Sequence, residues 1–319
     1  MFAASKTAII RAGVGLCRAG GGRRLIKLLV TGASSQVGSA LCARALTEGM
    51  SVVWFDDDIL NGLDARVIET AISRHQPSYV INTASYSVVD KAQTNPQDCY
   101  RDNHDVAQVL AQSCHALSLP LLHLSTDYVF SGDQQQPYKE DAKTNPVNHF
   151  GSAKLAAENV IRDQCAAHII LRVGWIFSAQ GNNFVLRTLR QLQHQSDVKA
   201  VADQYGCPTY ANDVARVLIA IIKQLSCGIE VWGTYHYSGA EVATWKGFAE
   251  AILAAAKTHG ATQADMIESV NSEAWPTTAP RPAYSVLDCS KLLATFGIRQ
   301  RPWRSGLVKV IAQVFKQSK

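Results

Sequence analysis

The chain has 319 residues, 47% hydrophobic and 18% charged, which suits one large or two closely joined globular domains with a sizeable core. Its net charge of +5 is mild, and no basic run with interleaved aromatics argues for nucleic acid. The eight cysteines contain no Cys-x-x-Cys pair, which excludes a zinc ribbon or a disulfide framework and points to free thiols in a reducing compartment.

No apolar stretch is long enough to span a membrane, no metal is expected, and the expected location is the cytoplasm. Residues 1–24 stand apart from the fold. They are basic and free of acids, ending in Gly20-Gly21-Gly22-Arg23-Arg24. Two readings stay open, a disordered extension (or upstream start codon) and a mitochondrial-type presequence; the first is preferred.

Order is expected to begin at Leu25. Ile26-Lys27-Leu28-Leu29-Val30 reads as a strand, followed at once by a glycine turn from Gly32 to Gly38, with Leu41, Ala45 and Leu46 at helical spacing beyond it. Ser51 to Phe55 is the second strand, closed by Asp56-Asp57-Asp58. Val67, Ile68, Ala71 and Ile72 stripe a helix, and Tyr79-Val80-Ile81-Asn82 is the third strand. A helix through Val106, Val109, Leu110 and Cys114 leads to a strand at Leu121 to Ser125. A helix through Lys154, Leu155, Glu158 and Ile161 leads to a strand at His168 to Val173.

This alternation predicts an α/β fold, a Rossmann-type doubly wound parallel sheet over residues 25–178. Ligands then gather at the carboxyl ends of the strands. Beyond residue 178 the rhythm loosens. Helices are expected at Phe184 to Leu192, Val214 to Leu225, Trp245 to Lys257 and Gly306 to Phe315, with a Pro-rich loop from Trp275 to Pro282. Residues 179–319 are expected to form a smaller, discontinuous substrate-binding region that partly returns to the sheet domain.

The glycine turn places backbone N–H groups and a helix N-terminus where a pyrophosphate can sit. Ser35 takes the place of the expected middle glycine. A carboxylate at the end of the second strand suits the ribose 2′-hydroxyl of NAD and repels a 2′-phosphate.

From Ile26 to nearly the C-terminus the chain resembles the dTDP-4-dehydrorhamnose reductase family of extended short-chain dehydrogenases. The resemblance rests on Val80-Ile81-Asn82-Thr83-Ala84-Ser85-Tyr86, Leu124-Ser125-Thr126-Asp127-Tyr128-Val129-Phe130, Gly151 to Glu158, Gly181-Asn182-Asn183-Phe184, Asp203 to Thr209 and Arg281-Pro282. The tail, Leu287-Asp288-Cys289-Ser290-Lys291-Leu292, also looks like the β regulatory subunit of methionine adenosyltransferase, a relative with a partner-binding role.

The resemblance implies hydride transfer from reduced NAD or NADP to a 4-keto-6-deoxy nucleotide sugar. It implies that Thr126 holds the carbonyl oxygen and that Lys154 binds the nicotinamide ribose. Trp175, Tyr128, Asn182, Asn183, Gln204 and Arg281 are implied on the substrate side. Gly32, Ser34, Ser35, Gln36, Val37, Gly38, Asp56, Asn61, Ala84 and Tyr86 are implied on the cofactor side. It also implies a homodimer or a regulatory protein partner.

One residue breaks the pattern. The family's Tyr-x-x-x-Lys pair reads Phe150-Gly151-Ser152-Ala153-Lys154 here, and Phe150 has no proton to give. Asp127, Tyr128 and His149 are the candidate substitutes, and Gly174 stands where the family has Ser. Two functions therefore remain in view: a reductase with an impaired or substituted acid, and a catalytically silent dinucleotide- or nucleotide-sugar-binding protein that regulates or scaffolds a partner.

Overall fold

The computed structural model describes residues 25–55, 63–260 and 262–317. The N-terminal extension, Asp56 to Asp58 and Asn61 lie outside these residues, so the expectations placed on them have no structural counterpart here.

Five strands follow in chain order: β1 (Lys27–Thr31), β2 (Ser51–Trp54), β3 (Tyr79–Asn82), β4 (Leu121–Thr126) and β5 (His168–Val173). Together with a strand at Gly233–Tyr237 they form a parallel sheet. The spatial order is β2-β1-β3-β4-β5 and then Gly233–Tyr237. The order reverses between β1 and β3, and such a switch point opens a crevice at the strand carboxyl ends.

The central strands read as near-continuous apolar runs because both faces of the sheet are covered. Alternate residues serve the two faces. Leu28, Val30, Leu122 and Ile169 pack with Leu41, Val214, Leu218 and Ile221. Leu29, Val80, Leu121 and Ile170 pack with Ile68, Leu110 and Ile161.

The second region returns to the sheet domain more fully than periodicity suggests. The helix Ala211–Ser226 shares a core layer with the helix Gln36–Thr47, and Gly233–Tyr237 extends the sheet beside β5. That strand escapes sequence reading because Gly-Thr-Tyr-His-Tyr carries neither an apolar run nor alternation. Its one interior polar ring, His236, is bonded to Arg172 Nη1 (3.2 Å) and the Tyr138 carbonyl (3.0 Å). A separate core of Phe177, Val185, Phe248, Ile252, Trp303 and Ile311 holds the remainder of the second region together.

The helix His149–Gln164 carries Phe150 and Lys154. Asn148 starts it, accepting a hydrogen bond from the Gly151 N–H at 2.8 Å, as N-cap residues do. Gly151 lets the helix approach β4, since a Cβ there would lie 2.1 Å from the Tyr128 carbonyl oxygen. Farther along, the fully buried Glu158 accepts bonds from Ser125 (2.5 Å), Arg172 Nε (2.8 Å) and Arg172 Nη2 (2.7 Å). Arg162 adds a further bond at 2.5 Å from the partly exposed side. Removing one member of a buried pair strands the other in a dry interior. Glu158→Ala is therefore expected to cost about 3–5 kcal/mol of stability, read from the midpoint of chemical denaturation; a loss below about 1 kcal/mol would mean that water reaches the site.

Candidate active site

The turn after β1 is built by close approach rather than by flexibility. Gly32 takes φ +66°, and a Cβ on it would lie 2.4 Å from the Ala84 nitrogen. A Cβ on Gly38 would lie 2.1 Å from the Gly32 carbonyl oxygen, so this glycine seats the first helix against the turn. Gly38 does not line the cleft; its contribution is packing, a correction to the contact expected of it.

Ser35 explains why a middle glycine is dispensable. Its backbone is extended (φ −66°, ψ 165°), a region open to any residue. Its hydroxyl accepts from the Gly38 N–H (3.0 Å) and donates to Thr83 Oγ1 (3.2 Å), capping the helix. Gly38→Ala should lower stability by about 1–3 kcal/mol through overpacking, seen as a lower thermal midpoint. An unchanged midpoint would mean the turn yields freely.

A cleft of ≈1010 Å³ opens at the strand carboxyl ends. Gly32, Ser34, Ser35, Gln36, Val37 and Ala84 line one end. Thr126, Asp127, Tyr128, Phe150 and Lys154 line its middle. Trp175, Asn182, Asn183, Gln204 and Arg281 line the end under the second region. Tyr86 is the exception among the expected residues. It is not among the lining residues; its backbone is clamped by Asn103, which accepts from its N–H (3.2 Å) and donates to its carbonyl (3.2 Å), and it packs against the apolar cluster that holds Phe150. His149, a candidate proton donor, does not line the cleft either.

The middle of the cleft is closely bonded. Lys154 is buried, with Nζ donating to the Leu124 carbonyl at 2.5 Å and lying 3.3 Å from His123 Nε2. Burial brings its pKa down to about 8. His123 is bonded in turn to Asn82 (3.1 Å), and Asn82 accepts from Thr31 (2.8 Å). Burial, with the Lys154 charge beside it, holds His123 well below the ordinary imidazole range.

Thr126 Oγ1 accepts from the Tyr128 N–H at 3.1 Å and lies 3.0 Å from Asp127 Oδ1. Asp127 Oδ2 accepts from Ser285 Oγ at 2.6 Å. Phe150 meets the edge of Tyr128 at 6.0 Å between ring centroids and 74° between planes. A phenyl ring thus fills the position before Lys154 and presents carbon where a hydroxyl is expected.

On the substrate side Trp175 holds a left-handed backbone (φ 49°) and stacks on Trp245, 3.4 Å between centroids and 3° between planes. Asn183 lines the cleft and also braces its wall. Its Oδ1 caps the helix Phe184–His194 through the Leu186 N–H (3.1 Å), and its Nδ2 serves Gln36 Oε1 (2.9 Å) and the Ser178 carbonyl (3.0 Å). These bonds tie the second region to the glycine turn. Arg281 pairs with both oxygens of Asp90, at 3.1 and 2.7 Å.

Four residues escaped the sequence reading. His123 is a polar residue within the apolar run Leu121 to Leu124, a usable signal. Ser285 follows Arg281-Pro282 in a loop whose path is set only by tertiary contacts. Arg187 and Trp245 line the cleft from helices whose facing could not be read from one sequence.

Residues 26–316 match the family described as RmlD substrate binding domain. The chain belongs to that family. A dTDP-4-dehydrorhamnose reductase of Sinorhizobium fredii is 32% identical over 296 residues, covering 92% of this chain and 99% of its own. A dTDP-4-dehydrorhamnose reductase of Clostridium acetobutylicum has a solved structure with a TM-score of 0.84 at 28% identity, covering 91% of this chain and 99% of its own. The enzyme of the same name from Bacillus anthracis, solved in complex with NADP, gives a TM-score of 0.82 at 28% identity, with 91% and 100% covered.

Proposed function

We propose that the protein is a nicotinamide-dependent oxidoreductase that reduces a 4-keto-6-deoxy nucleotide sugar of the dTDP-4-dehydrorhamnose type. The observation that carries this reading is the convergence of Thr126, Lys154 and the Gly32–Gly38 turn on one cleft within a member of this family.

The residues fit a dinucleotide. Gly32 lets the turn close against Ala84 at the cleft edge, and Gln36 and Val37 open a helix at the cleft wall, where N–H groups favour a pyrophosphate. When bound, the reduced nicotinamide supplies hydride. The chain does the rest. Thr126 holds the ketone oxygen by its hydroxyl, Lys154 offers an amine at the cofactor ribose, and the Trp175–Trp245 stack forms an apolar wall for the sugar. Arg187 offers a guanidinium to the sugar nucleotide's diphosphate, a match of charge and donor geometry.

For cofactor choice, Asp56 to Asp58 favour NADH, since a 2′-phosphate near them adds like-charge repulsion. The NADP held by the Bacillus anthracis enzyme makes the comparison worth measuring. Titration should give NADH binding at least as tight as NADPH; a clear preference for NADPH would require a basic side chain at the adenosine ribose.

A second reading is favoured by Phe150 alone: a silent dinucleotide- or sugar-nucleotide-binding protein that regulates a partner. The two separate in one assay. Wild-type protein should oxidise NADH or NADPH in the presence of a dTDP-4-keto-6-deoxy sugar. At about pH 8, Phe150→Tyr should raise that turnover by roughly 10²–10⁴-fold, the usual contribution of a positioned proton donor. Dinucleotide binding without turnover in either form would favour the regulatory reading.

A further inference from the structure

Among the described residues, the cleft contains one buried carboxyl that is not part of a structural ion pair. Asp127 is 2% exposed, yet its bonding partners are the Ser285 and Thr126 hydroxyls and backbone N–H groups rather than cations. Gly174 makes room for it, because a Cβ there would lie 2.8 Å from the Asp127 carboxyl carbon. The ionisable groups facing it are Tyr128 on its own turn and Cys207 on the loop after the strand Tyr205–Gly206; neither brings a positive charge.

We propose that Asp127 is the proton store of this cleft and passes its proton through the Thr126 hydroxyl to the ligand oxygen, in place of the phenol that Phe150 lacks. The inference rests on the reductase reading above. The hydrogen bonds of Thr126 make it directional. Its oxygen has two lone pairs. One takes the Tyr128 N–H, and the 3.0 Å contact in which the Thr126 hydroxyl donates to the Asp127 carboxylate reverses once Oδ1 is protonated, so that Oδ1–H occupies the other. The hydroxyl hydrogen is then left for an oxygen in the cleft.

The step moves one proton and no electrons. Once the carbonyl carbon has gained hydride, its oxygen carries a negative charge. That oxygen bonds the hydrogen of Thr126 Oγ1 as the Oγ1–H bond breaks. Oγ1 takes the hydrogen of Asp127 Oδ1 in the same movement, and Asp127 is left as a carboxylate. Ser285 Oγ, 2.6 Å from Oδ2, stabilises that charge until the open cleft returns a proton.

Tyr128 is the rival donor, and two observations count against it. Its charged neighbours are Arg281, Asp90 and Arg187 as well as Asp127, which puts it among the substrate-side charges. Burial also pushes its phenol pKa upward, making it a weaker acid. Burial acts on Asp127 in the useful direction, raising the carboxyl to about 6 against the pull of its hydroxyl partners. It therefore holds its proton into the range where the reaction can use it.

The test uses the full chain with a dTDP-4-keto-6-deoxy sugar and NADH or NADPH, in wild type, Asp127→Asn, Tyr128→Phe, Phe150→Tyr and the double variant Phe150→Tyr/Asp127→Asn. Wild-type reduction should fall about tenfold per pH unit above about pH 6, as Asp127 ionises. Asp127→Asn should lose on the order of 10²-fold near that pH and no longer follow the profile. The double variant should recover the rate, because a tyrosine at 150 supplies the proton independently. Thermal midpoints give a readout without turnover. A carboxyl raised from 3.8 to about 6 stabilises the fold below the lower value, and that contribution is lost as pH rises towards the upper one. The midpoint of Asp127→Asn should therefore gain on wild type between those pH values and stay level above them. Wild-type turnover that Asp127→Asn leaves unchanged, or that Tyr128→Phe abolishes while Asp127→Asn does not, overturns the relay alone. No turnover in any form, Phe150→Tyr included, overturns the reductase reading and the relay with it.

Discussion

A carboxylate sealed from water determines where the chemistry of this protein can happen. Glu158 lies one turn beyond Lys154 on the same helix and is held by Arg172 from β5 and Ser125 from β4. Three elements are therefore fixed to each other by bonds that lose most of their value if any of them slides. Thr126 follows Ser125 by one residue and Phe150 precedes Glu158 by two turns, so the cleft inherits its geometry from this buried cluster. Such a pair adds little net stability compared with apolar packing, but it is costly to break. Its consequence here is positional: the helix cannot rotate to hide Lys154 or expose Phe150 without stranding charge in the core.

The sheet domain was largely legible because its physics is local. Buried parallel strands read as short apolar runs, and the helices between them carry their stripes in plain sight. The turn from Gly32 to Gly38 could be located but not explained, since the contact of Ser35 with Thr83 joins segments nearly fifty residues apart. The strand Gly233–Tyr237 was not legible. Its polar residues are tolerated only because Arg172 and Tyr138 satisfy His236, and neither partner is close in sequence.

The site divides in the same way. Thr126, Lys154, Trp175 and Arg281 could be named because they sit in motifs, and all of them line the cleft. Asn183 sits in such a motif too, and beside its place on the cleft it caps a helix, because a motif residue can serve hydrogen bonds to backbone as well as a ligand. Ser285 shows the opposite case. It reaches Asp127 from 158 residues away, and nothing in its own segment marks that contact.

Phe150 is where fold and chemistry separate. The ring sits among Ala92, Cys99, Ala153 and Tyr128, an apolar setting that a phenylalanine satisfies fully. No buried donor or acceptor is orphaned by the missing hydroxyl, because Lys154 bonds the Leu124 carbonyl and meets His123 instead. Loss of the phenol therefore carries no penalty in folding, and the scaffold can persist whatever happens to the reaction. The Lys154 contacts, the Thr126 hydroxyl and the buried Asp127 carboxyl all persist around the apolar ring. The donor is the one component that a neighbouring group can replace without moving a helix.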